Sequence, residues 1–243
     1  MPSGLLRFLV GLAIGAAVGF LAANAFDRSR QPQGVPAAVN VSTPQTSPSP
    51  AGSDELSDEE LNRAIAAVNA RPNDYDAQFN LAEALLRIAG KPADSITYYR
   101  RASELRPKSA EPLAGLGDAD LAAAVVASPE TADARTLLAD AVAAYSRALA
   151  IEPRNAGILA SRGMAYSILD SPRMTRAIAD YNTALGIDAN HEAALLGLAV
   201  ALSAEGKVDE ANAAVDRLAR AHPDSPGIAR ARSAIASAPR RSR

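Results

Sequence analysis

Few side chains in this sequence could do chemistry, and their spacing does not form a catalytic or metal site. The two histidines, His191 and His222, both fall in predicted turns, and two imidazoles without further ligands nearby make a poor metal site. The chain has no cysteine, which excludes disulfides, thiolate metal sites and cysteine nucleophiles. It also has no phosphate-binding loop, nucleophile elbow or zinc-protease motif. We therefore expect a non-catalytic protein without a cofactor, and an enzyme of unrecognised type is only a remote alternative.

An internal repeat supplies the elements that would position a binding surface. Two amphipathic segments separated by a Gly-Lys break occupy residues 192–223, and similar segments recur upstream. Five successive units close at Pro72, Pro107, Pro153, Ala189 and Pro223. The steps between these positions are 35, 46, 36 and 34 residues. A period in this range is typical of stacked helical arrays.

The residues within each unit follow a second regularity. A small residue recurs where two helices would approach closely: Ser95, Ala141, Ala177 and Ala211. A large residue follows four positions later: Tyr99, Tyr145, Tyr181 and Val215. This spacing resembles the tetratricopeptide repeat, a helix-turn-helix of 34 residues. Asp120 and Arg162 depart from it, because they stand where the repeat has large apolar residues.

The resemblance implies an all-α fold, a right-handed superhelix, over residues 54–236. A half repeat at 57–72, with Ser57 as its predicted N-cap, comes first. Four full repeats then occupy 75–107, 110–153, 156–189 and 192–223, followed by a capping helix at 226–236 and a basic tail at 237–243. Twelve extra residues in the second repeat predict a first helix reaching Val126 and a second helix running from an N-cap at Ser128 to about Ile151. This lengthened hairpin is either a tolerated insertion or part of a binding face.

The N-terminal segment is the second informative stretch. Residues 8–26 contain Asn24 as their only polar residue, and 19 residues of this kind are long enough to cross a bilayer as a helix. They predict an uncleaved transmembrane anchor, or alternatively a signal peptide (residues 1–26) that is cleaved after Ala25. The positive charges flanking the segment do not decide its orientation. A very short N-terminal tail usually stays in the cytoplasm, so an anchor in a bacterial inner membrane would place the repeats in the periplasm or another extracytoplasmic space, and cleavage would give the same placement.

Two features of this region concern assembly. Gly11, Gly15 and Gly19 are four residues apart and would share one helix face, which could join two membrane helices in a homodimer. Glycine is also simply common in membrane helices. Residues 27–53 are rich in Pro, Ser, Thr and Gln and predict a disordered linker between membrane and repeats.

The resemblance also implies a binding surface, since first helices line the concave face of such arrays. The residues placed on it are Phe79, Glu83, Leu86, Arg87, Asp118, Leu121, Met164, Ile168, Leu196 and Val200. This face would be apolar and acidic in its N-terminal half and apolar in its C-terminal half, which suits an amphipathic helix or an extended apolar peptide. The alternative is that several of these residues are core between repeats. A net charge of -2 gives no reason to expect a nucleic acid.

Two functional hypotheses follow. The first is a membrane-tethered scaffold that binds a protein or peptide partner. The second rests on layout, because a half repeat and a lengthened repeat behind one membrane helix resemble the repeat subunit of cytochrome c maturation and haem-lyase complexes. That resemblance implies capture of the C-terminal segment of apocytochrome for haem attachment.

Overall fold

The computed structural model describes residues 53–127, 131–169 and 174–237. Ten α-helices follow one another in these segments, and no strand is present there. The helices are α1 (Ser53–Ala70), α2 (Tyr75–Glu83), α3 (Pro92–Leu105), α4 (Glu111–Val126), α5 (Ala132–Ile151), α6 (Ala156–Leu169), α7 (Met174–Ile187), α8 (Glu192–Ala204), α9 (Val208–Ala221) and α10 (Gly227–Ser237). Each helix packs on the next one in the chain, which is the arrangement of a solenoid.

The helix ends test the predicted unit boundaries. α4 ends at Val126 and α5 at Ile151, as predicted. The N-cap of α5 is not Ser128 but Thr131, whose hydroxyl oxygen accepts a hydrogen bond from the Ala134 amide at 3.1 Å; Ser128 lies outside the described residues. α1 begins at Ser53, so the predicted N-cap at Ser57 is wrong and Ser57 lies inside the helix.

The predicted membrane anchor, the glycines at positions 11, 15 and 19, the linker up to residue 52 and the tail from residue 238 all lie outside the described residues. Among the helices that are described, none is both long enough and hydrophobic enough to span a bilayer.

The core is built around the second-helix tyrosines. Tyr99, Tyr145 and Tyr181 are all buried, and their rings lie against the first helices of neighbouring units. A Cβ placed on Gly115 would stand 2.3 Å from the ring of Tyr99, and one on Gly197 would stand 2.3 Å from the ring of Tyr181. No side chain fits at these distances, so glycine is required where ring and backbone approach most closely.

Arg162, the polar residue at an apolar position of α6, is paired with Asp180 on α7. The Arg162 guanidinium donates to both carboxylate oxygens of Asp180, at 2.8 Å each, and to the Ser146 hydroxyl at 3.2 Å. Because a planar guanidinium and a carboxylate meet in a two-point geometry, this pair satisfies both charges inside the helix packing.

Asp120 in α4 is the second polar residue at an apolar position, and its environment differs from that of Arg162. It is only 4% exposed, and no hydrogen bond or ion pair reaches its carboxylate from the residues that the structure describes. Burial, and after it the charge of Asp140, raise the pKa of Asp120 to about 7, against a smaller opposing effect of Arg100. The carboxyl group therefore keeps its proton in mildly acidic solution, where an ordinary aspartate is ionised, and releases it near neutral pH.

The first repeat contains a π-helical turn. Residues Ala84–Ile88 continue α2 as a π-helix, in which the Ala89 amide donates to the Ala84 carbonyl at 3.0 Å. Gly90 follows Leu85 by five positions, whereas the equivalent Gly206 follows Leu202 by four. The π turn therefore absorbs the one residue by which this repeat exceeds 34, and the second helix keeps its register.

Candidate binding surface on the first helices

The ten residues predicted to line the concave face differ in how far the structure leaves them exposed. Asp118, Leu121 and Met164 are buried, with Leu121 at 0% exposure. These three are core residues, as the alternative interpretation allowed, and they do not line an open groove. Arg87 is exposed. The remaining six are partly buried: Phe79, Glu83, Leu86, Ile168, Leu196 and Val200.

The burial of α4 divides the predicted face in two. Residues 112–121 of α4 are all buried, because α3, α5 and α6 pack around this helix. A helix that is apolar on all sides belongs in such a position. Accessible surface remains at either end of the array. We define the N-terminal patch as Phe79, Glu83, Leu86 and Arg87, and the C-terminal patch as Ile168, Leu196 and Val200.

The aromatic part of the N-terminal patch is held by its neighbours. The Phe79 ring stacks on Tyr75, with centroids 5.6 Å apart and planes inclined by 15°. Its edge contact with Tyr99 has a centroid separation of 5.8 Å and an angle of 75°. Both geometries are favourable for aromatic pairs, so Phe79 presents its remaining surface from a fixed orientation.

The two acidic residues predicted for this half of the face are both engaged by neighbouring side chains. Glu83 accepts a hydrogen bond from the Tyr99 hydroxyl through one carboxylate oxygen and pairs with the Arg87 Nε through the other. Burial, with the Glu83 charge adding to it, raises the pKa of Tyr99 well above its ordinary value, so this hydroxyl remains a donor. The buried Asp118 accepts from the Tyr145 hydroxyl at 2.8 Å. The accessible charge of the patch is therefore the outer edge of Arg87.

The C-terminal patch is apolar, as predicted, but one of its residues is partly covered. A Cβ built on Gly227 would lie 3.0 Å from Leu196 Cδ2, which shows that α10 packs against Leu196. Val200, one turn further along α8, is half-buried. Ile168 packs partly on the core. The surface open to a partner is therefore centred on Val200.

The two histidines have structural roles in the turns where they were predicted. His191 caps α8, with Nδ1 accepting from the Ala194 amide at 3.3 Å, and His222 Nε2 lies 2.6 Å from the Asn190 carbonyl oxygen. Within the three described segments, no cluster of three or more His, Asp or Glu side chains is arranged to hold a metal ion.

Sequence reasoning missed a cleft at the edge where the turns between units lie. Its volume is about 470 Å³, and its walls are residues 152–157 together with Ile187, Asp188 and His191. The cleft separates the turns that close the second and third full repeats. No sequence signal points to it, since it arises from the spacing of two turns that are far apart in the chain.

Comparison with known proteins decides what kind of repeat this is. Models of the tetratricopeptide repeat match residues 58–112 and residues 169–235. The chain contains tetratricopeptide repeats. Its predicted family resemblance is thereby confirmed for the repeats themselves, and the matched residues include the half repeat, the first full repeat, the last full repeat and α10.

Solved tetratricopeptide structures share this fold. TTC0263 of Thermus thermophilus is 21% identical over 75% of this chain and 92% of its own, with a TM-score of 0.61. MamA is 21% identical over 69% of this chain and 89% of its own, with a TM-score of 0.58. YrrB, described as a TPR protein with an unusual peptide-binding site, is 19% identical over 72% of this chain and 84% of its own, with a TM-score of 0.52. No curated protein matches the chain in sequence.

Proposed function

We propose that this protein is a membrane-tethered, non-catalytic scaffold whose first helices bind a peptide or a helix of a partner protein. The observation that carries the proposal is the pair of patches at the two ends of the first-helix face. There, Phe79, Leu86 and Val200 keep apolar surface accessible, while the tyrosines of the second helices are buried in the core. Apolar surface framed by a rigid array suits an amphipathic partner segment.

The binding part of the proposal is tested by photo-crosslinking in cells with the full chain. A photoreactive amino acid at Ala204, which is exposed one turn beyond Val200 on α8, should yield a discrete adduct, and Val200→Arg should abolish it because an unpaired charge is costly to bury under a ligand. The matched control position is Asp216, exposed on α9. Equal adducts from Ala204 and Asp216, unaffected by Val200→Arg, would place binding elsewhere.

The tether is tested by fractionation. If residues 8–26 remain as an anchor, the full chain stays with membranes through an alkaline carbonate wash and keeps its original N-terminus. A soluble product that begins at Phe26 would instead identify a cleaved signal peptide. Either outcome agrees with repeats that face the periplasm or another extracytoplasmic space. Pairing through Gly11, Gly15 and Gly19 would be tested in the same membranes by cross-linking.

The more specific hypothesis, capture of apocytochrome for haem attachment, stays a prediction. No contact in the described residues favours it over a scaffold of another kind. Its ligand is distinctive, so retention of C-terminal apocytochrome peptides by the full chain, reduced by Val200→Arg, would support it. Retention that Val200→Arg leaves unchanged would count against it.

A further inference from the structure

The side chains around Arg87 indicate what kind of partner the N-terminal patch selects. Arg87 approaches Glu83 through its Nε. No other hydrogen bond or ion pair to its guanidinium is formed by the residues that the structure describes, and its side chain is 34% exposed. The four N–H groups on Nη1 and Nη2 therefore remain available to a ligand along the outer edge of the guanidinium.

The orientation of this guanidinium is fixed by a network rather than left to a mobile surface chain. Glu83 holds Arg87 on one side and is itself held by the hydroxyl of the buried Tyr99. Arg87 also belongs to the π-helical turn, and such turns inside α-helices are frequent at functional sites. A guanidinium that is held in place loses little freedom when it binds a planar anion.

Apolar side chains accompany Arg87 on its own helix. Phe79 and Leu86 are partly exposed on the same helix, and Ile88 at the end of the π turn is 37% exposed. The only carboxylate in the patch, Glu83, already has a partner for each oxygen. A cationic ligand would meet no free acceptor there, whereas a carboxylate would meet a preorganised donor edge next to apolar surface.

We propose that the N-terminal patch recognises a segment of a partner protein in which an Asp or Glu side chain is flanked by apolar residues, with the carboxylate bound by the outer edge of Arg87. The inference deepens the proposed function and rests on it, because it names the chemistry of the partner that the scaffold takes. It reverses the sequence-based expectation, in which Glu83 and Asp118 made this half of the face acidic.

The test is selection from a library of random peptides displayed with blocked C-termini, so that only side-chain carboxylates are offered. Selections are run on the full chain, on Arg87→Glu, and on Arg135→Glu as a matched charge reversal at an exposed residue of α5. We expect the unmodified chain and Arg135→Glu to enrich an acidic residue beside apolar ones. Arg87→Glu should lose that acidic preference and gain a basic one.

A selected peptide then allows a double-mutant cycle. Replacing its acidic residue by the amide, or making Arg87→Gln, should each weaken binding by at least about tenfold, the effect of one lost charge-assisted hydrogen bond. The two changes together should weaken binding no further than one alone. Thermal melting of each variant, followed by circular dichroism, checks that the first repeat is still folded. If Arg87→Glu is unstable because it places a second carboxylate beside Glu83, the uncharged variant Arg87→Gln replaces it in the selections.

The outcomes separate two kinds of failure. Peptides that are enriched without an acidic residue, or pools from the unmodified chain and Arg87→Glu that share one composition, would overturn the role of Arg87 and leave peptide binding intact. If none of the proteins enriches any peptide, the proposed function itself fails, and this inference fails with it.

Discussion

Replacement of Asp120 by leucine should stabilise the protein and remove part of its pH dependence. Asp120 stands at a position that carries Leu85 in the first repeat and Leu202 in the last, and it is buried without a hydrogen bond from the described residues. Leucine has the same number of side-chain heavy atoms and the same branching at Cγ, and it is the residue that the first and last repeats carry at this position.

The magnitude follows from the pKa of Asp120. The folded-state value is about 7 and the ordinary value is 3.8, so the folded protein keeps a proton that the unfolded chain releases between these pH values. The contribution of the neutral carboxyl group is fully present below about pH 4 and is lost as the pH rises towards 7. A difference of about three pH units corresponds to an upper limit of about 4 kcal/mol in the free energy of unfolding.

The assay is urea unfolding of the full chain, Asp120→Leu and Asp120→Asn, followed by circular dichroism at about pH 5 and about pH 8. The unmodified protein should lose more stability than either variant between the two conditions, by up to about 2.5 kcal/mol, because only the two pH units between about 5 and about 7 contribute. All other titratable groups are the same in the three proteins, so their contributions cancel in the comparison. Identical pH dependence in the unmodified chain and Asp120→Leu would show that the carboxylate is ionised and solvated in the fold.

Three further predictions concern packing. Tyr145→Ala and Tyr181→Ala should each lower the free energy of unfolding by about 3–5 kcal/mol, measured by urea unfolding; losses well below about 1 kcal/mol would mean that the repeat register is wrong. Deleting Ile88 should convert the π turn to a regular α-helix with little change in the melting temperature. Deleting Val200 from α8 should lower the melting temperature strongly, because the rest of that helix rotates out of register. Equal losses in the two deletion variants would refute the idea that the π turn absorbs an extra residue. Val200→Arg should leave the melting temperature unchanged, because Val200 is partly exposed. Leu198→Arg should unfold the last repeat, because Leu198 is buried between the helices. Early melting of both variants would place Val200 in the core.

The packing seam could be predicted from the sequence because its requirements are local. Two helices that cross closely need a small residue at the contact and a large one beside it. Ser95, Ala141, Ala177 and Ala211 meet the first requirement and are fully buried. The tyrosines meet the second, and helix ends such as Val126 follow once the register is known.

Exposure on the first-helix face could not be predicted, because it depends on distances between helices from different units. Leu121 and Val200 are both apolar and both fall on the predicted face, yet the first is buried and the second is half-exposed. Likewise, Leu196 is partly covered by α10, and Glu83 accepts a hydrogen bond from a tyrosine on the next helix. Periodicity within one helix carries no information about these partners.

The small residues that make the repeat recognisable also explain why its face is closed in the middle. Gly115 and Gly117 in α4 admit the rings of Tyr99 and Tyr145 at distances that no side chain would allow, and this draws the neighbouring helices in around α4 until its whole circumference is buried. Such contact is favourable for packing, but it removes the central part of a groove. The extra residue in the first repeat acts in the opposite direction. It widens the last turn of the helix that carries Arg87, and charge and apolar surface remain accessible at that end of the array.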